Sequence, residues 1–201
     1  MPYWIRSSSF DFCEQNYVQS EFIAEFFNTI TSIPIVAVGL FGLIECWKAR
    51  HATRFLFCYF TLLTAGLGSL YFHGTLHWAG QILDELSMIF CVQGMYFVLL
   101  SSGLESQTNS IVSENAKKYR KVLLLVFPFA SLVFLWTYFF HPKQFWIFVF
   151  VYGAMVVHLS LISYNVVTKT SDRFLIYFFY VGAGAYISGF IFFWWAKEFR
   201  L

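Results

Sequence analysis

Charge is scarce in this chain. Asp, Glu, Lys and Arg make up 12% of its 201 residues while apolar residues make up 59%, and a soluble domain ordinarily carries about 25% charged residues. So few solvated groups exclude a fold surrounded by water alone, and a polytopic membrane protein is expected. The chain also lacks a basic-then-apolar start followed by a small-residue cleavage site. Instead Arg6, Asp11, Glu14, Glu21 and Glu25 fall before the first apolar run, so no cleaved signal peptide is expected and the first span should direct insertion itself. Cys-x-x-Cys and comparable spacings are missing among Cys13, Cys46, Cys58 and Cys91, which argues against a zinc ribbon or a disulfide framework. The three cysteines in apolar runs read as small buried hydrophobes. Net charge is only +2, and the basic residues are not gathered with aromatics on one face, so nucleic acid is not an expected partner. No repeat or low-complexity segment stands out.

What the chain does have is apolar runs. Stretches long enough to cross a hydrocarbon core of about 30 Å lie near 29–47, 55–73, 82–102, 121–140, 145–164 and 174–195. The expected fold is therefore all-α, a polytopic transmembrane helix bundle with six spans, in which Pro34 and Pro128 are tolerable kinks. Lys48, Arg50, Arg54, Lys117, Lys118, Arg120, Lys121, Lys169 and Arg173 fall on one side of these spans, against Arg6, Lys143, Lys197 and Arg200 on the other. The first set should face the cytosol, leaving residues 1–28 as a lumenal or extracellular acidic segment on the same side as the turn from His73 to Asp84.

Polar side chains at that turn are hard to explain as packing in lipid. Ser69 and His73 are four residues apart and share a helix face, and Asp84 can return to their depth after a turn through residues 74–80. Three readings stand. A Ser/His/Asp relay would place the imidazole between hydroxyl and carboxylate, but the chain lacks the Gly-x-Ser-x-Gly elbow of soluble hydrolases. A zinc site would use His73 as one ligand, the carboxylate as proton acceptor and the serine as donor to an oxyanion. A purely structural polar network between two helices is the third. Before the first span, Asp11, Glu14, Gln15, Asn16 and Glu25 gather hard oxygen donors suited to calcium. They lack the spacing of an EF-hand loop, and a solvated acidic segment is the alternative. His77 could assist at the turn, His51 and His141 read as solvated loop residues, and His158 as an interhelical hydrogen-bonding residue.

The strings Asp11-Phe12-Cys13-Glu14-Gln15-Asn16-Tyr17, Ile23-Ala24-Glu25-Phe26-Phe27-Asn28-Thr29, Gly68-Ser69 with Phe72-His73, and Gln81-Ile82-Leu83-Asp84-Glu85-Leu86 resemble those of the alkaline ceramidases, in the wider CREST superfamily of membrane hydrolases. The likeness runs from about residue 11 to about residue 194. It implies one ceramidase-like transmembrane domain over residues 1–201, of a seven-helix architecture, that hydrolyses the amide of ceramide to sphingosine and a fatty acid. It implies calcium bound by Asp11, the carbonyl of Phe12, Glu14, Asn16 and Glu25. Phe12 stands where tryptophan is common. It further implies zinc bound by His73, an oxyanion steadied by Ser69 and a proton moved by Asp84. Membrane lipids and a ceramide-like sphingolipid are the implied partners, and the endoplasmic reticulum or Golgi the implied location, with the N-terminus lumenal. The family's zinc is completed by a His-x-x-x-His motif on a seventh helix, and no such motif follows the sixth span here. A truncated isoform or an incomplete gene model is thus expected, and a non-catalytic lipid-binding or receptor-like relative is the alternative function.

Overall fold

The computed structural model describes residues 4–10, 12, 14–105, 125–137, 139–140 and 145–199. Six helices stand among them: α1 (Phe26–Lys48), α2 (Thr53–Thr75), α3 (Trp78–Glu105), α4 (Leu125–Thr137), α5 (Phe145–Val167) and α6 (Arg173–Phe199). Helix is the element these runs must adopt, because in lipid a backbone N–H or C=O finds no water and has to pair within its own segment. A helix of 23 residues, the length of α1, α2 and α5, spans about 35 Å at a rise of about 1.5 Å per residue. That exceeds the hydrocarbon core. Five helices are long and apolar enough to cross a membrane, and α4 is a shorter apolar helix. The chain is an all-helical, multi-pass integral membrane protein, and the beginning of the expected fourth span lies outside the described residues.

The chain divides into two compact units, residues 1–152 and 153–201. In the first, α2 packs against both α1 and α3. Small residues let the backbones approach: a Cβ added at Gly39 would lie 2.6 Å from the backbone nitrogen of Leu63, and one at Gly68 would lie 2.7 Å from that of Asp84. Apolar side chains gain little by leaving lipid for one another, so such close contacts carry helix association in a membrane. Toward α4, Gln93 of α3 donates to the hydroxyl of Ser131 at 3.1 Å. In the second unit the start of α6 is capped by Asp172, whose Oδ1 accepts the N–H groups of Phe174 (2.9 Å) and Leu175 (3.3 Å).

Helix ends follow local chemistry. α1 closes in a Schellman motif in which Arg50 takes a left-handed φ of 52°, its N–H meets the carbonyl of Trp47, and the N–H of His51 meets that of Cys46. α2 ends on Leu76, also left-handed at φ 51°, and only Leu76 and His77 separate it from α3. The turn is therefore much shorter than the residue 74–80 stretch expected from sequence. The reason lies far away in the chain: Ser7 accepts the N–H of Trp78 at 2.9 Å, so the first turn of α3 is capped from the N-terminal segment and can begin four residues before Ile82.

Candidate functional site

The N-terminal segment closes the end of the α2–α3 hairpin. An α-helix leaves its last carbonyls without internal donors. Here the N–H of Ala24 serves Gly74 at 3.0 Å, that of Glu25 serves His73 at 2.9 Å, and those of Ser7 and Ser8 serve Leu76 at 3.1 and 3.0 Å. Ser9 adds a second tie through its N–H and hydroxyl to Gln81, which in turn donates to Glu85. Ala24, Phe72 and Leu76 form a small apolar core at this junction, with Phe12 and Tyr17 packed on it.

Glu25 sits at the N-cap of α1 but does not cap it with its side chain. Its carboxylate turns the other way, to His73: Nδ1 lies 2.5 Å from Oε2. Glu25 is fully buried and His73 nearly so. Two further donors complete the carboxylate, the N–H of Phe12 at 3.2 Å on Oε1 and the side-chain amide of Asn28 at 2.9 Å on Oε2. With a carboxylate as acceptor Nδ1 carries the hydrogen, and a neutral imidazole then keeps its lone pair on Nε2. The ring of Phe12 lies edge-on to that of His73, 5.1 Å between centroids, and fixes its tilt.

Glu14 takes over the capping that Glu25 leaves undone. Its Oε1 accepts the N–H of Phe27 at 2.8 Å and its Oε2 that of Asn28 at 3.0 Å, so a negative charge meets the positive end of the α1 dipole. Both carboxylates thus bond to Asn28. Glu14→Ala is expected to cost about 1 kcal/mol, the ordinary value of a lost cap, measured by thermal denaturation in detergent; an unchanged midpoint would show that water replaces the cap without loss.

Ser69 and His73 both face α1. The Ser69 hydroxyl lies 2.9 Å from that of Ser32. Asp84, buried on α3, reaches the same level because its backbone lies against Gly68, and the matching contact of Gly80 with Phe72, at 2.9 Å for an added Cβ, fixes the antiparallel register. Sequence reasoning sought a carboxylate for the imidazole in Asp84, and the geometry supplies Glu25 at Nδ1. Phe12 enters through its N–H and ring, Asn16 is half-buried in the turn before Tyr17, and Asp11 lies outside the described residues.

Ser32 and Asn28 were not read as site residues. Their signal was present as Glu25, Asn28 and Ser32 at spacings of three and four, a polar stripe at the head of an apolar helix. His77 bonds Tyr71 at 3.4 Å, whereas Cys46, Cys58 and Cys91 carry free thiols.

This donor set can be tested against the metals the resemblance implies. His73 has the environment of a histidine ligand, one ring nitrogen fixed by a carboxylate and the other with no hydrogen-bond partner among the described residues. Zinc takes four ligands, and among the described residues no group of three His, Cys, Asp or Glu side chains stands close enough to hold a metal ion. His73 fits as one ligand and the described residues alone do not complete the site. Glu14 and Glu25 both bond to Asn28, each of their carboxylate oxygens already accepts a hydrogen bond, and the described residues alone do not complete a calcium site either.

Comparison with known proteins narrows the reading. The family model described as Ceramidase matches residues 5–199. Alkaline ceramidase 3 of Mus musculus is 40% identical over 89 residues, 44% of this chain and 33% of the relative. Alkaline ceramidase of Arabidopsis thaliana is 33% identical over 95 residues, 47% of this chain and 37% of that protein. Alkaline ceramidase 1 of Homo sapiens is 37% identical over 95 residues, 46% and 36% of the two chains. The matched stretches thus span about a third of the length of these relatives. With the family model matched along nearly all of the 201 residues, and its polar groups gathered at the head of α1 and the α2–α3 hairpin, the chain belongs to the ceramidase family.

Proposed function

We propose that this chain hydrolyses the amide bond of ceramide, releasing sphingosine and a free fatty acid. The observation that carries the reading is the buried His73–Glu25 pair, 2.5 Å apart, at the end of a membrane helix in a chain of the ceramidase family. A lipid amide lies within the bilayer, and a hydrolase for it needs polar groups at that depth. Such groups are rare in spans and point to function.

The roles follow from the chemistry of each group. Asp84 takes a proton from the attacking water and passes it to the departing amine nitrogen, the work of a general base that then serves as acid. Ser69 donates its hydroxyl hydrogen to the amide oxygen as negative charge gathers there. His73, held by Glu25, offers Nε2 to zinc, which when bound polarises carbonyl oxygens and makes water more acidic. Asp11, the carbonyl of Phe12, Glu14, Asn16 and Glu25 bind calcium and brace the N-terminal segment. We assign the protein to the endoplasmic reticulum or Golgi membrane with this segment in the lumen, in keeping with the basic residues on the opposite side of the spans.

Asp84→Asn is expected to lower the rate of fatty-acid release from ceramide at alkaline pH by about 10²–10⁴-fold, the usual contribution of a positioned acid–base group. Adding a chelator to the wild-type chain should abolish release. Ceramide bound without turnover by the wild-type chain would point instead to a lipid-binding relative.

A further inference from the structure

Ser32 stands in the second turn of α1, 3% exposed, too deep to touch a substrate. Its Oγ has two neighbours, Ser69 Oγ at 2.9 Å on α2 and the carbonyl oxygen of Asn28 at 2.8 Å in its own helix. A serine hydroxyl has one hydrogen and two lone pairs, so this contact has two arrangements with opposite consequences. In the first, Ser32 donates to Asn28 and accepts the hydrogen of Ser69, which leaves Ser69 nothing to donate. In the second, Ser32 donates to Ser69, and the hydrogen of Ser69 is free to turn toward the site. The Asn28 carbonyl does not by itself hold Ser32 to the first arrangement, because Ser69 Oγ stands almost as close to the Ser32 Oγ that carries the one hydrogen, 2.9 Å against 2.8 Å.

We propose that Ser32 is a positioning residue for Ser69, donating to the Ser69 hydroxyl so that Ser69 can donate to the amide oxygen of the substrate. As charge grows on that oxygen, each hydroxyl in the chain polarises the next, and the second arrangement gains over the first. The relay is anchored. Asn28, whose carbonyl faces Ser32, uses its side-chain amide to hold Glu25, and Glu25 holds His73. One polar face of the first two turns of α1 thereby sets both Ser69 and His73, although α1 contributes no group that meets the substrate. The inference rests on ceramide hydrolysis with Ser69 as the oxyanion donor.

The test compares the chain in lipid–detergent micelles with Ser32→Ala, Ser32→Thr, Ser69→Ala and the Ser32→Ala/Ser69→Ala pair, reading fatty-acid release over a range of ceramide concentrations. Ser32→Ala should lower kcat about tenfold with KM unchanged, less than the hundredfold or more lost with an oxyanion donor itself. Ser32→Thr, which keeps the hydroxyl, should restore kcat, and the paired variant should be no slower than Ser69→Ala alone. If the alanine variant does not fold, Ser32→Cys, of similar shape and a weak donor, should show the same fall. Unchanged kcat in Ser32→Ala, or an equal loss in both Ser69 backgrounds, overturns the relay while leaving ceramide hydrolysis in place. A wild-type chain that releases no fatty acid overturns the hydrolytic reading, and the relay with it.

Discussion

Glu25→Ala is expected to destabilise the protein by several kcal/mol, since each buried donor left without an acceptor costs about 1–3 kcal/mol. Three donors lose their acceptor at once: Nδ1 of His73, the N–H of Phe12 and the amide of Asn28. None of them can easily turn to water, because the Glu25 side chain they surround is itself wholly buried. The imidazole also loses the group that fixes its tautomer, so ceramide hydrolysis should fall below detection even in the fraction that remains folded. Glu25→Gln separates the two effects. It keeps an acceptor oxygen of the same reach and should recover a large part of the stability, while the lost charge leaves the tautomer of His73 unfixed and hydrolysis low. Thermal denaturation in detergent, read beside fatty-acid release, distinguishes them. A Glu25→Ala protein with the wild-type midpoint would mean that the pair contributes nothing to the fold.

Gly68→Val should also be damaging, for a different reason. Even the first carbon of a side chain at position 68 would sit 2.7 Å from the backbone nitrogen and 2.9 Å from the Cα of Asp84, and backbone atoms cannot swing aside as a side-chain tip can. The α2 and α3 helices would have to part. Overpacking of this kind costs about 1–3 kcal/mol or more, and the same displacement draws Asp84 away from Ser69, so hydrolysis should fall further than stability. Gly182→Ala on α6, where an added Cβ meets no described atom within 4 Å, is the control and should leave both properties near wild type. A Gly68→Val protein as stable and as active as the control would show that the α2–α3 contact does not position Asp84.

These two residues mark how far the sequence could be read. Five of the six expected apolar runs coincide within a few residues with the five long apolar helices, because a run that must satisfy its own backbone in lipid has no other conformation open to it. The special character of Ser69, His73 and Asp84 was equally legible, since polar groups stand out against an apolar background. Their partners were not. Glu25 lies 48 positions from His73 and Ser32 lies 37 from Ser69, and no periodicity within one helix reports which neighbour another helix presents. The early start of α3 was hidden for the same reason: its cap is Ser7, 71 residues before Trp78. Glu14 shows a subtler limit. Composition marks it as an oxygen donor, but only the folded chain reveals that its carboxylate holds the first N–H groups of α1 because Glu25 has turned toward His73.

The N-terminal segment therefore packs on the same residues as the proposed site. It caps both helices of the hairpin, supplies Phe12 to the imidazole and leads directly into Glu25, so the acidic segment and the membrane cluster are one polar assembly. The most direct test is the rate of fatty-acid release from ceramide by the wild-type chain and by His73→Ala, prepared in the same membranes and brought to the same folded concentration. The account predicts release by the wild type and none above background by the variant. Equal release from both would contradict it.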